Sequence, residues 1–406
     1  MELKKWKQFC LCSMGGSFPA DAEPADALFS PLVFLVHRDP LRSRGWFAVS
    51  SVEELYEAED CSVLLPPRHC AAPGELRSFV QAHGATVLNT AFANAFSFLA
   101  AEKKQTALRV TLVGLGDVGG TLLTALTLLG RELSEIRIFD PNEAQCRRYE
   151  AELNQVLSLD DTPLPRVTIC PQEALFDCDI FLFTASRGVP AVGTEIKDVR
   201  MAQYERNRDM LSAYAKAARN AAFRGLFCQI SDPVDQLARV VFLHSNRDET
   251  GHFDAKGLLP EQIQGFGLGV MAARAEYFAA QMGIDFSEGR VFGPHGNDLI
   301  VANHPTAYDE SLSETLTKAT VTANLRVREL GFKPYIAPAL SSAAVSILRL
   351  VRGQTHYGAV PMGGAYFGCR SRRTAQGLSV IREPLHPALY ARIKAVQHSL
   401  EDFCYD

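Results

Sequence analysis

An apolar run at residues 108–114 leads without a break into Gly114-Leu115-Gly116-Asp117-Val118-Gly119-Gly120, and a helical pattern follows through Leu129. This G-x-G-x-x-G lies where its chemistry requires it, between a strand and a helix. Glycines permit a tight turn and close approach of backbone to a pyrophosphate, and the helix N-terminus supplies N–H groups and partial positive charge. A second strand, residues 135–140, ends at Asp140. A carboxylate there can accept ribose hydroxyls and repels a 2′-phosphate. Gly114, Gly116, Asp117, Val118, Gly119 and Asp140 are therefore expected to bind a dinucleotide, with NAD preferred to NADP. Past Asp140, Pro141 and Asn142 offer no arginine, and the first to follow is Arg147.

Beyond the cradle, strands and helices alternate. Strands are expected at 166–170, 178–185 and 225–230, with helices at about 142–157 and 198–222. That rhythm predicts an α/β fold with a parallel sheet covered on both faces. After Gly251 it gives way to long helices at 269–282, 309–330 and 337–350, short strands and a final helix, as in an α+β unit. Residues 1–104 suggest a small α/β module, with strands at 31–36 and 61–65 and helices at 52–59 and 74–83. The polar stretch 101–106 is the expected linker. The divisions are thus 1–104, 105–250 and 251–406.

Composition narrows the possibilities. A net charge of -5 over 406 residues argues against nucleic acid as the main partner. No apolar run is long enough for a membrane span, and the N-terminus is a poor signal peptide. Ten cysteines are scattered with no CxxC pair. Cys10 and Cys12 form a lone CxC, weak grounds for a metal, and no metal is expected. The cysteine usage reads as reduced and cytoplasmic.

Five segments together resemble the lactate/malate dehydrogenase family, over roughly residues 108–369. They are the glycine cradle, Thr184-Ala185-Ser186, Ser231-Asp232-Pro233-Val234-Asp235, Gly265-Phe266-Gly267 with Met271-Ala272-Ala273-Arg274, and Gly293-Pro294-His295-Gly296-Asn297. Their order and approximate spacing agree with the family. The resemblance implies a Rossmann doubly wound parallel sheet followed by an α+β catalytic domain. Residues 1–104 precede them and have no counterpart in typical members. It also implies an NAD-dependent oxidoreductase acting on a small carboxylate-bearing 2-hydroxy or 2-oxo acid, and a homo-oligomer. Thr184, Ala185 and Ser231 correspond to residues that pack against the dinucleotide.

The chemistry explains the rest of the set. Reduction of a 2-oxo acid needs a proton donor poised near neutral pH, and His295 in its G-x-H-G context suits that role. Arg274 on a helix face suits a substrate carboxylate. A further cation should bear on the carbonyl oxygen. Counting back from Arg206-Asn207 puts Arg200 at the family's loop-arginine position. Because the loop at 187–193 is longer than in typical members, Arg187 competes with it. The glycines of that loop suit a hinge.

Two departures matter. The family's aspartate that orients the histidine aligns with Met271, and its substrate-side asparagine aligns with Asp232. Loss of an orienting carboxylate costs roughly 10⁴ in rate in an analogous histidine–aspartate arrangement. Met271 alone argues for a feeble enzyme or a non-catalytic, redox-sensing dinucleotide-binding protein. Asp232 can restore the missing charge, either at His295 or by holding a cationic group of an amino- or imino-acid substrate. Asp298 is a weaker candidate for that compensation. A plainer use of Asp232 is to cap the helix that begins beside Pro233.

Overall fold

The computed structural model describes residues 2–101, 106–187, 204–296 and 298–405. Among them a mixed sheet of 15 strands runs through three blocks of the chain, and a separate two-stranded antiparallel sheet lies in the third block.

The first block comprises β1 (Leu3–Trp6), β2 (Phe9–Ser13), β3 (Glu23–Pro24), β4 (Leu32–Val36), β5 (Trp46–Val49), α1 (Gly74–His83), β6 (Ala85–Asn89) and α2 (Ala95–Leu99). Its order is β3-β1-β2-β4-β6-β5, with β2, β4 and β6 parallel. The helix expected at 74–83 and the strand near 31–36 are present. The strand expected at 61–65 is instead a short 3₁₀ turn, Cys61–Leu64. Asp60 starts that turn by accepting the Ser62 N–H at 2.9 Å, a local bond that competes with extended backbone. The helix expected at 52–59 is also 3₁₀, over Val52–Tyr56. Cys10 and Cys12 are buried within β2, and burial pushes the Cys12 thiol up to about 11.

The second block alternates as expected: β7 (Leu108–Val113), α3 (Asp117–Leu129), β8 (Leu133–Phe139), α4 (Glu143–Leu153), β9 (Arg166–Ile169), β10 (Ile180–Phe183), α5 (Tyr204–Asn220), β11 (Leu226–Gln229), α6 (Val234–Ser245) and β12 (Ile263–Gly265). The order is β12-β11-β10-β7-β8-β9, and every pair is parallel. Along β10, Ile180 and Leu182 join the core on one face while Phe181 and Phe183 join the core on the other. Burial on both faces is why this strand reads as a continuous apolar run. Strand order reverses at β7, which lies between β10 and β8. In such sheets the ligand crevice opens at the carboxyl ends of the strands at that switch point.

The third block holds α7 (Leu268–Met282), β13 (Arg290–Phe292), β14 (Ile300–Ala302), α8 (Glu310–Glu329), a π-helical segment (Pro338–Val345), α9 (Ser346–Val351), β15 (His356–Met362), β16 (Ala365–Thr374), β17 (Gly377–Val380) and α10 (Pro387–Glu401). The antiparallel meander β15–β16–β17 is inserted between the other two blocks. It meets β12 at Gly265 and Ala359, and β5 at Leu378 and Phe47. Gly377, at φ +137°, permits that second junction, because a Cβ there would lie 2.9 Å from the Phe47 backbone. Among the described residues no helix is long and apolar enough to cross a membrane.

Candidate active site

The cradle sits at the switch point. Gly114 has φ +95°, and a Cβ there would lie 2.6 Å from the Ala185 nitrogen. A Cβ on Gly119 would collide with the Gly114 carbonyl oxygen, so both positions need glycine for the turn to close. Gly116 differs: a Cβ there would meet nothing within 4 Å. Its exposed backbone is free for close approach by a ligand. The Thr184 hydroxyl donates to the Gly114 carbonyl at 2.7 Å, and the Ser231 hydroxyl donates to the Ala185 carbonyl at 2.6 Å. Asp140 follows directly on β8 and accepts the Leu115 N–H at 2.8 Å and the Asn142 N–H at 2.8 Å. Each oxygen keeps a further lone pair for a hydroxyl donor.

His295 follows β13 on the opposite side of the cleft. Its Nε2 lies 3.8 Å from Asp232 Oδ1. The imidazole is nearly buried, at 9% exposure, while Asp232 is 35% exposed, so the acid reaches the histidine from the open side. Pro233 holds the N-cap position of α6 and has no side-chain cap bond, so Asp232 precedes the cap by one residue. Asp298 is exposed. Gly267 makes room for the histidine, since a Cβ there would lie 2.6 Å from His295 Cβ.

Arg274, on α7, lines the same cleft, and its Nη1 lies 3.8 Å from Met271 Sδ. Met271 is fully buried in the apolar cluster between α7, β14 and α8. Arg187 lies at the cleft edge and its backbone N–H donates to Asn207 Oδ1 at 2.8 Å. Arg200, most of the loop at 187–193, the start of the helix expected from 198, Asn297 and residues 102–105 of the linker lie outside the described residues.

Three residues of the site are given no role by the sequence. Asn207, fully buried, binds the Arg187 amide and donates to the Asp232 carbonyl at 2.8 Å, joining two walls of the cleft. Asp235, in the first turn of α6, accepts the His295 N–H at 3.0 Å. Burial pushes its carboxyl up to about 7, against the opposing pull of the His295 bond. Lys333 reaches the cradle from beyond α8, its Nζ 2.9 Å from Asp117 Oδ2. A polar residue in an apolar helical stripe flags Asn207, but nothing local flags Lys333, which is 216 positions from its partner.

One cleft of about 1000 Å³ is lined by Gly114, Gly116, Asp117, Val118, Gly119, Asp140, Thr184, Ala185, Arg187, Ser231, Asp232, Arg274 and His295. Its size is at the upper end of the roughly 300–1,000 Å³ typical of ligand pockets. These residues fit a dinucleotide. Gly116 leaves open the space a side chain would fill, the amides in the first turn of α3 lack intrahelical partners, and Asp140 brings a carboxylate able to accept hydroxyls into the same cleft.

No family model matches the chain. It is 26% identical over 215 residues to L-lactate dehydrogenase 1 of Bacillus cereus, covering 52% of this chain and 62% of that protein. The alignment thus spans under two thirds of that relative's length. The chain is 24% identical over 255 residues to an L-lactate dehydrogenase of Staphylococcus haemolyticus, covering 60% and 74% of the two. It is 24% identical over 275 residues to a malate dehydrogenase of Sulfurimonas denitrificans, covering 64% and 80%. Among solved structures, the minor L-lactate dehydrogenase of Enterococcus mundtii superposes with a TM-score of 0.58 at 17% identity, over 74% of this chain and 100% of that one. Malate dehydrogenase of Cryptosporidium parvum gives 0.59 at 16%, over 73% and 98%. In sequence and in fold, the chain is a divergent, lactate/malate dehydrogenase-like protein.

Proposed function

We propose that the protein is an NAD(H)-dependent oxidoreductase acting on a small carboxylate-bearing 2-hydroxy or 2-oxo acid, or on the corresponding amino or imino acid. The observation that carries this reading is the Asp232–His295 pair facing Arg274 in the cleft that also holds the glycine cradle. When bound, NAD(H) would supply or accept the hydride. His295 Nε2 gives the proton to the substrate oxygen in reduction and takes it back in oxidation. Asp232, at salt-bridge reach, favours the imidazolium that oxidation produces, the role left open by Met271. Arg274 holds the substrate carboxylate. Arg200, with Arg187 as second choice, stabilises charge on the carbonyl oxygen. Residues 105–250 carry the dinucleotide side and 251–406 the substrate side. The family resemblance further implies a homo-oligomer, and the scattered cysteines a reduced, cytoplasmic setting.

The burial of Met271 favours a second reading, a dinucleotide-binding sensor without efficient chemistry, because no acid reaches the histidine from that position on α7. NADH oxidation against a panel of 2-oxo acids, with and without ammonium and alongside His295→Ala, separates the two. Turnover lost in the variant supports the dehydrogenase, and an ammonium requirement puts Asp232 on an amine. Tight NADH binding with no turnover on any substrate supports the sensor.

A further inference from the structure

Asp117 is an odd residue for a phosphate cradle. It occupies the first helical position after Gly116, where the positive end of α3 favours its carboxylate but where that carboxylate repels a phosphate drawn to the same end. The Lys333 ammonium sits 2.9 Å from that carboxylate, and burial plays little part, since the two side chains are 66% and 46% exposed. A pair this exposed contributes little to stability, so holding the fold together is a poor account of it. The turn that carries Lys333 is well made. Gly331, at φ +83°, ends α8; its N–H donates to the Arg328 carbonyl at 2.8 Å, and the Phe332 N–H to the Val327 carbonyl at 3.2 Å. The Tyr335 N–H then donates to the Lys333 carbonyl at 3.1 Å, and Pro334 stiffens the exit. Lys333 and Asp117 line one cleft with Gly116 and Val118, and Arg328 adds a second cation to the same wall.

We propose that Lys333 is a cofactor-binding residue that holds the diphosphate of the dinucleotide from the second domain, with Asp117 positioning its ammonium at the cradle beforehand. This rests on the dinucleotide reading of the cleft. It gives the cradle a cation that the glycine motif does not encode, and makes nucleotide binding bridge the two sides of the cleft.

Calorimetric titration of the full chain with NADH, ADP-ribose and adenosine tests it without turnover. Lys333→Ala should weaken ADP-ribose and NADH about five- to tenfold, as for a partly exposed charged contact, and leave adenosine and the melting temperature unchanged. The loss should persist in an Asp117→Asn background, and Lys333→Arg should recover most of it. If Lys333→Ala binds ADP-ribose like the wild type, or if the loss disappears in Asp117→Asn, the lysine does not hold the diphosphate. A wild-type chain that binds neither NADH nor ADP-ribose would instead overturn the dinucleotide reading, and this proposal with it.

Discussion

The buried Asp235 carboxylate accepts the His295 backbone N–H at 3.0 Å, which ties the start of α6 to the segment that carries the histidine. Burial lifts this carboxyl to about 7, far above its range in an unfolded chain. Between about pH 4 and pH 7 the folded state therefore holds a proton that the unfolded state has lost. Stability tied to this group is fully present at the acid end and is lost as pH rises through 7, with a slope of up to about 1.4 kcal/mol per pH unit. Glu261, buried and also raised to about 7, acts in the same direction. Asp235→Asn keeps an acceptor and removes the titration. Its melting temperature relative to wild type is expected to be higher at pH 8 than at pH 5; parallel curves would show that the group does not titrate this way.

Asp232→Asn removes the charge beside His295 and little volume. If that carboxylate supports the imidazolium, kcat should fall by roughly 10²–10⁴, the scale of an analogous aspartate loss, with NADH affinity unchanged. Steady-state kinetics with a separate NADH titration distinguish the two quantities. A variant with wild-type rate and pH profile would remove Asp232 from the chemistry.

Gly267→Ala tests the packing behind the histidine. The added Cβ falls 2.6 Å from His295 Cβ, so the imidazole or α7 must shift. Overpacking of this kind costs about 1–3 kcal/mol. Chemical denaturation should show that loss, and turnover should drop further than the loss of folded protein explains. Unchanged stability would mean that the site yields without strain.

Asn207→Ala leaves the Arg187 amide and the Asp232 carbonyl without their buried partner. Both groups are only part-buried and can rehydrate, so each lost bond costs about 0.5–1.5 kcal/mol. Urea unfolding is the direct measurement, and Asn207→Asp should keep the bond to the Arg187 amide while losing the donor to Asp232. Equal stability for both variants would assign the whole effect to one side of the hub.

The nucleotide half of the site was legible because its signals are local. The apolar strand, the glycines and the acid after the next strand lie within residues 108–140, and the backbone turn they require is the one that forms. The histidine side was legible only by resemblance. Its parts come from β11–α6, α7 and the segment after β13, and no short-range periodicity brings Asp232 to His295. Met271 shows the limit well: on the helix it reads as a missing acid, and in three dimensions it is an ordinary member of an apolar cluster. In the first block, β2, β5 and β6 escaped notice because short strands buried on both faces show no alternation, and β1 because its four residues are half-exposed and carry two lysines. The strand expected at 61–65 failed for the opposite reason, since its apolar residues are buried in a turn that Asp60 closes.

The junction between β5 and β17 rests on a single register pair, Phe47 with Leu378, both almost wholly buried. A protein trimmed of residues 1–104 would therefore be more than a shortened dehydrogenase-like core. Its meander would end in a bare β17, with unpaired backbone groups and an uncovered apolar rim ready to pair with another molecule. The first block thus covers the sheet edge that the rest of the chain would otherwise leave open.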